Sequence, residues 1–253
     1  MSALHLVTAW ATESGLTLGQ VACEDQSNEI TVIPELLKLL SLEGCTVTLD
    51  AMGCQRAIVA QIREQKADYI VGLKGNQSAL QRDLQQLVEQ GIDTGFKGMS
   101  KTEITLHDKG HGRQTNRTCV AVEIPEDHPQ RRHWRDLQTI IAIITERHVG
   151  DKESWETRLY ISSHPPKAKR LSNAIRRHWG IENSQHWVLD VTFGEDRRRQ
   201  QARNGAANLA AVRRLTVSVL RQEKTNKRGV KNKRLACALD PNYLILVLQN
   251  AAF

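Results

Sequence analysis

The sequence predicts an α/β fold, and three features of its apolar spacing predict it. Residues 3 to 95 alternate between strand and helix periods, residues 101 to 163 keep to a strand period, and helical spacing returns from Lys167. The opening stretch ALHLVTAWATESGLTLGQVACE (3–24) shows loose alternation on either side of Ser14-Gly15, the signature of an antiparallel hairpin. Next, Ser27 or Asn28 is placed to cap a helix in which Ile33, Leu36, Leu37 and Leu40 recur until Gly44. CTVTLDAMGC sets Val47 and Leu49 on one face of a strand, opposite Thr46, Thr48 and Asp50. A helix over Gln55 to Gln65 turns Ile58, Val59 and Ile62 inward, and ADYIVGLKGNQ is a second, buried strand that ends in a loop. Strand, helix, strand in this order predicts two parallel strands joined by a right-handed crossover.

Residues 78 to 95 read as helix. From about Lys101 to Ser163 the segments TEITLHD, RTCVAVEI, TIIAIITERHV and ETRLYISS, separated by Gly, Pro, Asp and His clusters, read as a β-rich insertion. Helix follows from Lys167 through Trp187 or beyond, and again from Gly205 to Lys224. The expected division is a first core part (1–95), the insertion (96–165), a second core part (166–223) and a basic C-terminal tail (224–253).

Composition narrows the function classes. With 253 residues and 40% hydrophobic content the chain can bury a substantial core, so a disordered protein is excluded. DYIVGL and TIIAIIT are strand-length and fall short of the ~20 residues of a membrane helix. MSALHLVTAWATES lacks a basic n-region and reads as a strand rather than a signal peptide, which places the protein in the cytoplasm. Five scattered cysteines without a Cys-x-x-Cys pair read as reduced buried thiols. The net charge is +7, and it is local: Glu195 to Arg234 holds 13 Lys and Arg against 3 acids, a balance of +10 that leaves −3 for the other 213 residues. A polyanionic partner is expected there.

Asp50 closes a predicted central strand, the edge where α/β sheets gather ligands and catalytic groups; capping the following helix is the alternative. Lys74 in LKGNQ belongs to the same rim, either meeting a phosphate or standing solvated in a loop. The richest segment is LSNAIRRHWGIENSQHWVLDVTF (171–193). On a wheel of about 100° per residue with Glu182 at zero, Leu171 and Leu189 fall near −20° and Ile175 and Phe193 near +20°. A carboxylate in the middle of an apolar stripe, facing the core, asks for a cation or donor. His178 and His186 flank it one turn away on either side. A zinc ion on this column would have to bridge eight residues of one helix and lacks a fourth ligand, so Glu182 as an oxygen ligand for Mg²⁺ facing Asp50 is the stronger alternative to a structural Glu. Gly180 inside the helix costs roughly 1 kcal/mol relative to Ala, which a close backbone approach would explain. Trp179 and Trp187 read as packing residues.

Phosphate contacts are expected from Arg197, Arg198, Arg199 and Arg203 in EDRRRQQARNG and from KTNKRGVKNKR after it, a solvated basic face being the alternative. HDKGHGRQTNR puts His111 and Arg113 on a Gly-rich turn that touches DNA or is simply a hairpin tip.

At TLDAMGCQ, ADYIVGLKGNQ, HGR, RRHWGIENSQHWVLDVTFGED and the QEK and KRGVKNKR tail, the sequence resembles the H-repeat-associated transposases, a bacterial insertion-sequence family of the DDE superfamily. The resemblance runs in consistent order over nearly the whole chain. It implies a ribonuclease-H-like core with a β-rich insertion before the catalytic glutamate, DNA strand transfer at insertion-sequence ends, and Mg²⁺ or Mn²⁺ as cofactor. Asp50 matches the second acid of the triad and Glu182 the third; Arg177, in the RRHWGIEN block, joins Lys74 and the arginines above as a DNA-binding residue. Self-association is left open. One departure stands out: the family's first acid lies in an Asp-Gly-Lys motif on a strand ahead of the hairpin, and Met1-Ser2 stand in its place here. The expectation is therefore a core lacking its first strand, with unpaired backbone groups beside the hairpin. Such a chain would be a truncated, inactive transposase, or a DNA-binding remnant or regulator of related insertion sequences.

Overall fold

A computed structural model describes residues 5–23, 28–110, 113–150, 152–195 and 204–251, with Arg113 described in its backbone only. The chain forms two compact units, Ser41–Arg176 and a second assembled from its two ends, Met1–Leu40 with Arg177–Phe253.

The Ser41–Arg176 unit is built on a six-stranded sheet. Strand β3 (Thr46–Leu49) leads through helix α2 (Arg56–Glu64) to β4 (Asp68–Leu73). The two strands run parallel, with Thr46 opposite Asp68 and Leu49 opposite Val71. Ile58, Val59 and Ile62 of α2 are buried, as their helical spacing predicts. Helix α3 (Ser78–Thr94) buries Leu80, Leu84 and Leu87 and stops at Gly95. Then β5 (Lys101–Gly110), β6 (Arg113–Glu123), the short helix α4 (Pro129–His133), β7 (Thr139–Val149) and β8 (Lys152–Ser162) complete the sheet in the order β3-β4-β8-β7-β6-β5. All pairings after β3-β4 are antiparallel. The strand-period stretch from 101 to 162 therefore continues the sheet that the α/β segment begins. Ile141, Ile143, Tyr160 and Cys119 pack against Leu171 and Ile175 of helix α5 (Ala168–Ile181).

In the other unit, β1 (His5–Ala11) and β2 (Leu16–Cys23) form a separate two-stranded antiparallel sheet. Gly15 makes its turn at φ 69°, a conformation that a Cβ disfavours. Helix α1 (Glu29–Lys38) starts at Asn28, whose side chain accepts the Thr31 amide, and buries Val32, Ile33, Leu36 and Leu37. Helix α6 (Gly205–Gln222) meets the hairpin through hydrogen bonds from the Thr17 amide to Ser218 Oγ (3.2 Å) and from Gln20 to the Ala207 carbonyl (3.0 Å). Beyond Ile181 the helix that began as α5 continues as two π-helical turns, Glu182–His186 and Val188–Thr192.

Residues 224 onward fold into helices α7 (Val230–Leu239) and α8 (Pro241–Gln249), and two cations of the basic run are engaged within the fold. Lys233 is buried, donating to the carbonyls of Leu220 and Glu223 and pairing with the Glu223 carboxylate at 3.4 Å. Arg234 donates to the Thr192 carbonyl and lies over the Phe193 ring. Among the described residues no helix is long and apolar enough to cross a membrane.

Glu223 is fully buried. Burial raises its pKa, but hydrogen bonds from Thr225, Tyr243 and Asn226 outweigh it and hold the carboxyl at about 2, against an ordinary 4.5. The stabilisation this group contributes is complete above pH 4.5 and is lost as pH falls toward 2. A pH series of denaturant melts is expected to show that loss in the native chain. Glu223→Gln should be less stable at neutral pH and should lack this part of the acid dependence; parallel pH profiles for the two proteins would refute the assignment.

Candidate active site

Asp50 follows the last residue of β3 and is exposed, at the carboxyl end of the parallel pair. Its Oδ1 accepts the amides of Met52 (3.0 Å) and Gly53 (3.2 Å), so the carboxylate organises its own turn; helix α2 is capped separately, by the backbone of Gln55. Two amide side chains from the turn after β4 clamp the same loop: Asn76 donates to the Ala51 carbonyl at 2.7 Å and Gln77 to the Cys54 carbonyl at 2.8 Å. The backbones are close here. A Cβ on Gly72 of β4 would lie 3.0 Å from the Ala51 nitrogen and 3.2 Å from the Asp50 carbonyl carbon. Asn76 and Gln77 stand in the LKGNQ stretch that sequence reading valued only for Lys74. Their role depends on a backbone more than twenty residues away, which no local pattern reports.

Lys74 is exposed on this rim. Its charge is felt by Glu156, whose carboxyl is held below its usual range first by the Arg158 hydrogen bond and, to a smaller degree, by Arg147 and Lys74.

Glu182 overturns the wheel that singled it out. Its side chain is 57% exposed, not turned to the core. The α-helical period holds up to Ile175, but Glu182 opens a π-helical turn, and each residue of such a turn rotates through less than an α-helical residue does. The face shifts accordingly, and Gln185 takes the buried place, donating to Thr17 Oγ1 at 2.8 Å. Val188 and Leu189 follow it inward. Glu182 Oε2 lies 3.3 Å from His186 Nδ1, while the His178 ring stands edge-on to Trp179. Gly180 has nothing within 4 Å of a built Cβ, so no close backbone approach explains it; its place two residues before the π-helical turn fits a loosening of the α-helix. Trp179 and Trp187, expected to pack, are instead 40% and 57% exposed.

Arg177 forms an exposed ion pair with Glu13 at 2.8 Å. His111, Arg197, Arg198, Arg199 and Arg203 lie outside the described residues, as does the side chain of Arg113. Among the described residues, the group of three or more His, Cys and acidic side chains whose ligand atoms all come within 4.8 Å of one another is Glu146, His148 and Glu153, and not the His178 column. His148 Nε2 stands 3.0 Å from Glu146 and 3.8 Å from Glu153, in a cluster near the β7–β8 turn. Asp50 belongs to the Ser41–Arg176 unit and Glu182 to the other, and both carboxylates are exposed.

The family model of the transposase DDE domain matches residues 2–220. The chain belongs to this transposase family. YncI of Escherichia coli O157:H7, named as a transposase, is 38% identical over 99% of this chain and 64% of its own length. YhhI of Escherichia coli strain K12, named as an H repeat-associated transposase, is 32% identical over 97% of this chain and 66% of its own. YbfL of the same strain is 33% identical over the same shares. This DDE-domain chain thus spans about two thirds of the length of these three relatives.

Two glycine substitutions test the local geometry. Gly72→Ala pushes a methyl against the backbone of the Asp50 turn and is expected to destabilise by about 1–3 kcal/mol. Gly180→Ala meets open space and is expected to stabilise by roughly 0.5–1 kcal/mol. Chemical denaturation reads both, and equal signs for the two would refute this account.

Proposed function

We propose that this transposase-family chain acts on DNA, with Asp50 and Glu182 as two of the carboxylates that bind divalent ions for phosphodiester cleavage and strand transfer. The observation that carries the reading is Asp50 at the carboxyl end of a parallel strand, its turn clamped by Asn76 and Gln77, within a chain matched to the DDE domain. Mg²⁺ or Mn²⁺, when bound, activates a water or a 3′-hydroxyl and neutralises the leaving oxygen. The protein's own part is positional. The amides of Met52 and Gly53 fix one oxygen of Asp50, and His186 stands beside the Glu182 carboxylate. In the cleavage step the oxygen nucleophile forms a bond to phosphorus as the strand's P–O bond breaks, and the 3′-oxygen leaves with the electron pair. Lys74 and Arg177 are exposed cations, which we assign to the phosphate backbone together with the arginines of the 197–203 stretch. We read residues 96–165 as an insertion between the core parts that bring the two acids.

A second reading has its own observation. The sequence contains no Asp-Gly-Lys, so it offers no match to the first acid of the family's set. On this reading the 253-residue chain binds DNA and leaves it uncut.

Incubation with supercoiled DNA and Mg²⁺ or Mn²⁺ separates the two. The 253-residue chain is expected not to nick, whereas a form supplied with an Asp-Gly-Lys strand ahead of the hairpin should. Glu182→Gln in that form should lose more than the roughly 10–100-fold that removal of an outer-shell partner costs. Nicking by the 253-residue chain that Glu182→Gln abolishes would overturn the binding-only reading, and nicking indifferent to Glu182 would overturn both.

A further inference from the structure

Away from Asp50 and Glu182, the Ser41–Arg176 unit carries a cleft of about 520 Å³ in which Arg56, Arg131, Arg132, His133, Arg135 and Asp136 converge. Arg56 is the first residue of α2, and the others lie in α4 and the turn after it, more than seventy residues later, so the fold adds Arg56 to the short basic run Arg131-Arg132-His133-Trp134-Arg135. Four guanidiniums against one carboxylate give the lining a formal charge of +3 with His133 neutral. The carboxylate is already engaged: Asp136 Oδ2 accepts from Arg63 Nε at 2.8 Å. Arg131 is fixed by donating to the Ile124 carbonyl at 2.9 Å, and Arg56 lies over the face of the fully buried Trp134, 5.9 Å from its centroid. Arg56, Arg132 and Arg135 are exposed and have no carboxylate within ion-pair distance among the described residues. The dipole of a five-residue helix accounts for little of this and for nothing of Arg56.

Like charges held together repel, and a planar guanidinium fork matches phosphate oxygens two at a time. Ala57 and Ala60 line the α2 side of the cleft, so small side chains leave room between the arginines. The cleft is open rather than enclosed, which suits phosphates displayed on a large body better than a small anion sealed from water. We propose that it is a sequence-independent contact for the phosphodiester backbone of duplex DNA, additional to the arginines predicted from the sequence and independent of the two acids.

The test is binding of the full chain to a labelled duplex of arbitrary sequence, read by fluorescence anisotropy in EDTA between about 50 and 200 mM salt. Arg132→Gln/Arg135→Gln removes two exposed cations that make no hydrogen bond holding the fold among those described. The double variant is expected to bind roughly tenfold more weakly for unrelated sequences alike, with the slope of log affinity against log salt shallower by about 2. Arg82→Gln/Lys97→Gln, two exposed cations elsewhere in the same unit, controls for net charge and should leave the slope near that of the unaltered chain. Equal slopes for the cleft variant and the unaltered chain, at matched thermal midpoints, overturn the proposal. So does a cleft that binds tripolyphosphate in an Arg132- and Arg135-dependent way while DNA affinity stays unchanged. No divalent ion is present, so failure of the carboxylate chemistry would leave this result untouched.

Discussion

The two-sided pairing of β4 holds the larger unit together. On one edge it runs parallel to β3, and on the other it is antiparallel to β8, with Ile70 opposite Ser162 and Leu73 opposite Leu159. Tyr69, Ile70, Val71 and Leu73 are buried, so the strand is committed to the core along almost its whole length. Its polar start is satisfied by the chain leaving β8. Ser162 Oγ donates to the Tyr69 carbonyl, Ser163 Oγ accepts the Tyr69 amide and donates to Asp68, and His164 reaches Thr46. Burial lowers the His164 pKa, with Asp68 opposing the shift, so the ring sits within this seam as a neutral group near physiological pH. Each buried donor or acceptor left unmatched there would cost about 1–3 kcal/mol. Asp50 inherits its position from this seam, because the loop that carries it is pinned to the turn following β4.

The two proposed ligands are held in different ways. Both are exposed and therefore hydrated, which removes the desolvation penalty that a core-facing carboxylate would carry. Asp50 is oriented by backbone amides, a rigid support. Glu182 has a histidine one turn on, at 3.3 Å and half-exposed, a softer one. The rim at Asp50 thus belongs to the folded body of the sheet, whereas the orientation of Glu182 depends on how the π-helical turn is wound.

Periodicity carried most of the fold. The spans of α2, β4 and α3, the parallel pairing of β3 with β4 and the cap at Asn28 were legible because each is local: an apolar spacing of two or 3.6, bounded by a turn or a capping side chain. Glu182 was misread because a wheel with a constant step cannot see a change of helical pitch, while Trp179 and Trp187 were judged on residue type alone. Gly180 was judged on its propensity, although what matters is the empty space around it. Charge counting treated Lys233 and Arg234 as free cations, when the groups that capture them lie ten to forty-two residues upstream. The arginine cleft is legible only in part, since Arg131, Arg132 and Arg135 stand together in the sequence whereas Arg56 joins them only in the fold.

The hairpin and α1 have consequences for the order of folding. The hairpin packs with α1 and also meets α6, and the bond from Thr17 to Ser218 spans 201 residues. The Ser41–Arg176 unit lies wholly between these ends, and its contacts are complete as soon as Arg176 is available. During synthesis it can condense first, while some forty preceding residues wait for a helix not yet made. Once the intervening body is compact, however, the loop to be closed is no longer a floppy chain of that length but a folded object with two ends, and the entropy of bringing those ends together is correspondingly reduced.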